Sequence, residues 1–88
     1  MTTNFERARW AEECVRTFAD ATGIDTIEDA IGDLIANLGH YADEAGLDFL
    51  RIAAVGIGHW HLELTDEDSI SPLPHVLILI PVVRKLAS

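Results

Sequence analysis

The stretch TGIDTIEDAIGDLIANLGHYADEAGLDF, residues 22–49, decides the fold of this 88-residue chain. Two similar patterns, TGID at 22–25 and AGLD at 45–48, enclose a long amphipathic segment. Glycine readily adopts the left-handed conformation that ends a helix, and aspartate accepts hydrogen bonds from the first amides of the next one. The two patterns therefore predict two tight turns that join three helices, with a helical hairpin as the central feature.

The middle helix is predicted over 26–45, with Asp25 as its N-cap and Glu28 as the capping-box partner. Its apolar residues recur at spacings of three and four, which indicates a helix with one apolar seam. The seam consists of Ile27, Ile31, Leu34, Leu38, Tyr41 and Ala45, flanked by Ala30 and Ile35. Gly32 and Gly39 interrupt this helix at a cost of about 1 kcal/mol each against Ala. Such glycines are tolerable where another backbone approaches closely.

The first helix is predicted over 4–22. Thr3 and Glu6 form a capping box ahead of it, and Gly23 supplies the left-handed residue that ends it. One face of this helix is apolar. Its residues are Phe5, Ala8, Ala11, Val15, Phe18, Ala19 and Thr22.

The third segment, DFLRIAAVGIGHWHLEL at 48–64, is compatible with two structures. As a strand, the alternation over 57–64 would put His59, His61 and Glu63 on one side. As a helix, one side is apolar. That side carries Leu50, Ala53, Ala54, Ile57, Trp60 or His61, and Leu64. Asp48 is a good N-cap, so the sequence favours a third helix over 49–64.

The C-terminal part changes in character. Residues 65–75 combine acids, serines and two prolines, which is typical of a loop. The run VLILIPVV at 76–83 predicts a β-strand or an extended tail. A lone strand needs a partner, either 57–64 as a hairpin or the same strand of a second subunit. The predicted fold is thus mainly α, a single small domain in which a helical hairpin and a third helix precede this tail.

Charge is distributed unevenly along the chain. The net charge is -9, and no Lys or Arg lies between Arg16 and Arg51. The acids of that interval are Asp20, Asp25, Glu28, Asp29, Asp33, Asp43, Glu44 and Asp48. Such a segment repels nucleic acid and attracts basic surfaces, so direct binding to DNA or RNA is not expected.

The composition also bears on the compartment. Cys14 is the single cysteine, and MTTNFERARW contains no apolar signal-peptide core. The run at 76–83 is far shorter than the ~20 residues that a membrane-spanning helix needs. These features predict a cytoplasmic protein without a membrane segment, in which Cys14 is an inert, partly buried thiol.

No motif in the sequence identifies a reaction. His59, His61 and Glu63 offer three metal ligands only if the segment is a strand, because histidines two apart on a helix point about 200° apart. Asp29 and Asp33 are helical neighbours that suit Mg²⁺, but no second acidic set matches them. We therefore predict no catalytic residue, metal or cofactor.

Residues 28–49 resemble short acidic helical proteins of phages, plasmids and other mobile elements. The shared features are an acidic helix, a Gly-containing turn and an Asp-Phe pair that opens another helix. Here these features are Asp29, Asp33, Leu34, Leu38, His40, Tyr41, Gly46, Asp48 and Phe49. The resemblance covers roughly residues 5–65. It implies a helical anti-defence protein, such as an anti-CRISPR inhibitor, and assigns no functional residue.

The function expected from charge and resemblance is non-catalytic: binding and blocking a basic surface of a nucleic-acid-handling complex, such as a CRISPR effector. The expected partner-binding residues are Glu28, Asp29, Asp33, Asn37, His40, Asp43 and Glu44. Two alternatives stay open. One is a metal-binding or small hydrolytic protein that uses His59, His61 and Glu63. The other is a homodimeric structural module that pairs through 76–83.

Overall fold

A computed structural model describes residues 1–68 and 77–80 of the chain. Three α-helices follow one another within these ranges. They are α1 (Asn4–Thr22), α2 (Ile27–Glu44) and α3 (Phe49–Glu63). The prediction of a mainly α fold is confirmed. Residues 57–63 belong to α3, so the alternative of a strand in this part of the chain is wrong.

The bounds of the helices follow from local capping. Thr3 accepts a hydrogen bond from the Glu6 amide at 3.1 Å, and Asp48 accepts one from the Arg51 amide at 3.2 Å. Gly23 has a φ of 73° and donates its N–H to the Ala19 carbonyl. Each cap uses atoms three or four residues apart, and α1 accordingly coincides with the predicted 4–22.

Both ends of α2 lie one residue inside the predicted 26–45. The N-cap is Thr26, whose hydroxyl accepts from the Asp29 amide at 3.3 Å, so Asp25 is not the cap. At the other end Gly46 has a φ of 73° and donates to the Asp43 carbonyl, while Leu47 donates to Ala42. This pair of bonds is a Schellman motif, which ends the helix at Glu44.

Helix α2 is the central element, and it packs against both α1 and α3. Its buried residues are Ala30 and Ala42, which lie about 120° apart around the helix axis. The predicted seam lies between them. Leu34 is half-buried, and Ile27, Ile31, Leu38, Tyr41 and Ala45 are exposed. The seam is therefore largely open in the described structure, and the buried positions are the small residues Ala30 and Ala42 on either side of it.

The two glycines inside α2 have different surroundings. A Cβ atom on Gly39 would lie 3.2 Å from two carbons of the Phe49 ring. A Cβ atom on Gly32 would meet nothing within 4 Å. A close approach is thus made at Gly39 and not at Gly32, and it is made by an aromatic ring rather than by a backbone.

A polar cluster joins the start of α1 to the end of α3. Arg7 donates to the Asn4 side chain at 2.8 Å and to the Glu67 carbonyl at 2.9 Å. Its Nε also lies 3.5 Å from a carboxylate oxygen of Glu63. Asn4 donates its side-chain amide to the Glu63 carbonyl at 2.7 Å and its backbone N–H to the Glu67 carboxylate. The cluster links α1 to α3, so each of the three helices contacts the other two.

Turns follow α3. The amides of Thr65 and Asp66 donate to the Leu62 carbonyl, and the Asp68 amide donates to the Asp66 carboxylate. The rest of the predicted loop, 69–75, lies outside the described residues. So do 76 and 81–83 of the predicted strand, whereas 77–80 form no regular secondary structure. In the described part of the chain, no helix has the length and apolar composition needed to cross a bilayer.

Candidate protein-docking surface

All seven residues predicted to bind a partner are exposed on α2. They are Glu28, Asp29, Asp33, Asn37, His40, Asp43 and Glu44. The two buried residues of α2, Ala30 and Ala42, are not among these seven, so neither α1 nor α3 covers the predicted binding residues. The polar side is therefore free to meet another molecule as it stands.

The helical register groups five of these seven residues. Positions 29, 33, 37, 40 and 44 fall within about 80° around the helix and extend over about 22 Å of its length. We call this group the acidic face. Asp43 lies about 40° beyond its edge, and Glu28 points to a different side of the helix. The sequence prediction thus describes one continuous face of five residues, and two further residues, Asp43 and Glu28, that lie outside it.

Within residues 1–68 and 77–80, no cation forms an ion pair with the acidic face. The ion pairs there join Arg7 to Glu63 and both Arg9 and Arg16 to Glu12. The arginines of α1 are thus engaged with acids outside α2. Asp29 and Asp33 are helical neighbours of like charge, which costs a few tenths of a kcal/mol. No described residue neutralises the negative charge of the acidic face.

Glu12, in contrast, is a carboxylate whose negative charge is balanced by two neighbouring arginines. A hydrogen bond from Arg16, at 2.9 Å, and the charges of Arg9 and Arg16 hold the pKa of Glu12 below its ordinary value. The Arg9 guanidinium also lies 5.0 Å from the centre of the Phe5 ring. No comparable arrangement surrounds Asp33 or Glu44 in the described residues, which underlines the contrast with the acidic face.

The histidine pair does not form a metal site in the helical conformation. His59 is half-buried and His61 is exposed, and the two project about 200° apart around α3. The ring of His61 lies against that of Trp60, with centroids 6.4 Å apart. In the described residues, no group of three His, Cys, Asp or Glu side chains could hold a metal ion.

An apolar trough was not anticipated from the sequence. Two grooves of about 350 and 330 Å³ share Ala8 and Ala11 of α1 as a common floor. Ile27 and Ile31 line the first groove, and Trp60 and Leu64 line the second. Periodicity assigns such residues to a core, and only the tertiary arrangement shows that they are open. Cys14, expected to be partly buried, is also exposed.

Comparisons with known proteins add no relative. The chain matches no protein-family model, no curated protein and no solved structure. The surfaces of the helices themselves, above all the acidic face of α2, are therefore the basis on which a function is inferred.

Proposed function

We propose that this protein is a non-catalytic inhibitor that acts in the cytoplasm of a bacterium. Its acidic face binds a basic surface of a nucleic-acid-handling protein, such as a CRISPR effector, and keeps nucleic acid away from it. The observation that carries the proposal is the exposed row of Asp29, Asp33 and Glu44, which has no ion-pairing partner among the described residues.

The chemistry of such a partner follows from the row of carboxylates. Proteins that bind nucleic acid present Arg and Lys side chains to phosphates. Carboxylates accept hydrogen bonds from the same cationic groups, and Arg binds them in a bidentate manner. A straight helix that carries acids over about 22 Å therefore suits an elongated basic groove. Electrostatic attraction of this kind speeds association and weakens with salt.

The two alternatives receive less support. A metal-binding or hydrolytic function through His59, His61 and Glu63 needs side chains that converge, and the helix separates the histidines. A homodimer built on 76–83 depends on residues that, apart from 77–80, lie outside the described part of the chain. No described contact favours either of them over the acidic face.

The test reverses charges on the acidic face. The variant Asp33→Lys with Glu44→Lys avoids Asp29, whose place in the first turn of α2 favours a negative charge. Lys at 44 suits the end of the helix for the same reason. Immobilised protein is exposed to bacterial lysate at low salt, and captured proteins are eluted with salt or with competing DNA and RNA. We expect the variant to bind the captured partner roughly tenfold to a hundredfold more weakly.

The matched control is Glu13→Lys with Asp20→Lys. Both residues are exposed acids on α1 with no described hydrogen bond or ion pair. Because this variant also replaces two acids by two lysines, its change in net charge equals that of the α2 variant. We expect this control to retain most of the binding. Equal losses in both variants would mean that net charge alone is responsible. Unchanged binding in the α2 variant, or a partner that nucleic acid does not displace, would contradict the proposal.

A further inference from the structure

Helix α3 is apolar around almost its whole circumference. Its 15 residues include only two that are charged at neutral pH, Arg51 and Glu63. A helix of this composition is normally buried on every side. Gly58 is its one buried residue in the described structure. The helix thus has far more apolar surface than α1 and α2 cover.

One stripe of α3 has the spacing of a helix–helix seam. Leu50, Ala53, Ile57, Trp60 and the C-cap residue Leu64 alternate steps of three and four residues over about 21 Å. We call this stripe the α3 seam. Its large members are widely exposed, by 47% at Leu50, 44% at Ile57, 59% at Trp60 and 58% at Leu64. A seam of this kind is completed by an apolar ridge from another helix.

We propose that the α3 seam is the interface with a second copy of this chain. The net charge of -9 means that two copies repel each other wherever acids face acids. Residues 49–62 contain no Asp or Glu, which makes them the longest acid-free stretch of the three helices. Two copies therefore approach at least electrostatic cost through α3. A basic partner, in contrast, gains nothing from an uncharged stripe.

The α3 seam continues into the apolar grooves beside α1. Trp60 and Leu64 of the seam also line the apolar trough, whose floor is Ala8 and Ala11. Ile27 and Ile31 line the neighbouring groove, which shares Ala8 and Ala11 with the one beside Trp60, so the α3 seam borders both grooves. In a two-fold dimer each copy supplies the same surface, and Ile57, midway along the seam, lies next to the axis.

The inference is independent of the proposed function, because the acidic face lies on α2 and the dimer would leave both copies of it free. The two interactions also respond to salt in opposite directions. Screening weakens attraction to a basic partner. It strengthens the dimer, since it reduces repulsion between two acidic chains and leaves apolar contact intact. Failure of one proposal is therefore distinguishable from failure of the other.

The experiment measures molar mass by sedimentation equilibrium from about 1 to about 200 µM, where mass action shifts any monomer–dimer equilibrium. We expect the full chain to approach twice its 9.7 kDa, more readily at high salt. Ile57→Glu puts two carboxylates at the axis and should weaken the dimer roughly a hundredfold or more. The matched control is Ile52→Glu, on the same helix with 49% exposure but about 140° from Ile57. It should dimerise like the wild type.

A second measurement covers the case in which Ile57→Glu fails to fold. In a Cys14→Ser background, Ile57→Cys should form a disulfide-linked dimer rapidly on mild oxidation. Arg51→Cys, exposed on another side of α3, should not. A wild-type chain that stays monomeric at every concentration overturns the proposal, and the cover of the seam is then the chain's own C-terminal segment or a different protein. Equal behaviour of the 52 and 57 variants, in mass or in cross-linking of 51 and 57, also overturns it.

Discussion

Gly32 and Gly39 occupy the same helix and differ in what an added methyl group would meet. Ala is the better helix former by about 1 kcal/mol. We expect Gly32→Ala to stabilise the fold by roughly 0.5–1 kcal/mol, because the space beside it is open. Gly39→Ala should gain less or lose stability, because the Phe49 ring must move by a few tenths of an ångström. Urea unfolding of the two variants provides the comparison.

Equal stabilisation by the two substitutions would show that the Phe49 ring yields freely. It would then be wrong to regard Gly39 as the packing point between α2 and α3. A third substitution, Gly46→Ala, serves as a destabilising reference. Because Gly46 has a φ of 73°, an alanine there should cost about 1 kcal/mol or more.

The N-cap of α2 provides a second test at the residue scale. Thr26 accepts the bond from the Asp29 amide, whereas Asp25 makes no described hydrogen bond. Thr26→Ala should therefore cost about 1 kcal/mol, and Asp25→Ala should stay within about 0.5 kcal/mol. Thermal unfolding monitored by circular dichroism measures both. The reverse order would mean that the helix begins one residue earlier in solution, as the sequence pattern predicts.

At the scale of elements, Arg7 holds α1 to α3. Its guanidinium donates to Asn4 and to the Glu67 carbonyl and pairs with Glu63, which is partly buried. We expect Arg7→Ala to lower the free energy of unfolding by about 1–2 kcal/mol, because charge-assisted hydrogen bonds are lost.

The control for this prediction is Arg16→Ala. Arg16 pairs with Glu12 within α1 and is exposed, so its loss should cost no more than about 0.5 kcal/mol. Amide hydrogen exchange adds a local reading: protection at the start of α1 and the end of α3 should fall together in Arg7→Ala. Similar costs for the two variants would mean that the junction is no stronger than a surface ion pair.

For the whole molecule, the net charge of -9 on a short chain predicts a stability that depends on salt. The unfolding temperature should rise from about 20 mM to about 500 mM NaCl as repulsion is screened. Reversing Glu13, Asp20, Asp33 and Glu44 to Lys adds two charges at each position and changes the net charge from -9 to -1. The salt dependence should then flatten. An equally steep rise in that variant would point to a general salt effect.

The sequence alone predicted the first two helices and nearly all of the helix bounds, and it favoured a third helix while leaving a strand over 57–64 open. Caps and left-handed glycines act through hydrogen bonds between residues three to five positions apart. The capping roles of four residues can therefore be predicted without a tertiary structure: Thr3, Gly23, Gly46 and Asp48. The prediction of Asp25 as the N-cap of α2 is wrong, because Asp25 and the adjacent Thr26 are both good capping residues and only one of them can cap the helix. The acidic face was also largely predictable, since helical register follows from spacing alone.

Tertiary contacts alone decided which apolar surfaces are covered. Periodicity indicates that α2 and α3 each have an apolar side, but burial depends on how closely neighbouring helices approach. Ala30 and Ala42 allow that approach, and so the larger Ile31 and Leu38 between them stay exposed. The junction of Asn4 and Arg7 with Glu63 and Glu67 joins residues about sixty positions apart. No local pattern encodes such a contact, because the free energy that selects it exists only once the helices have met.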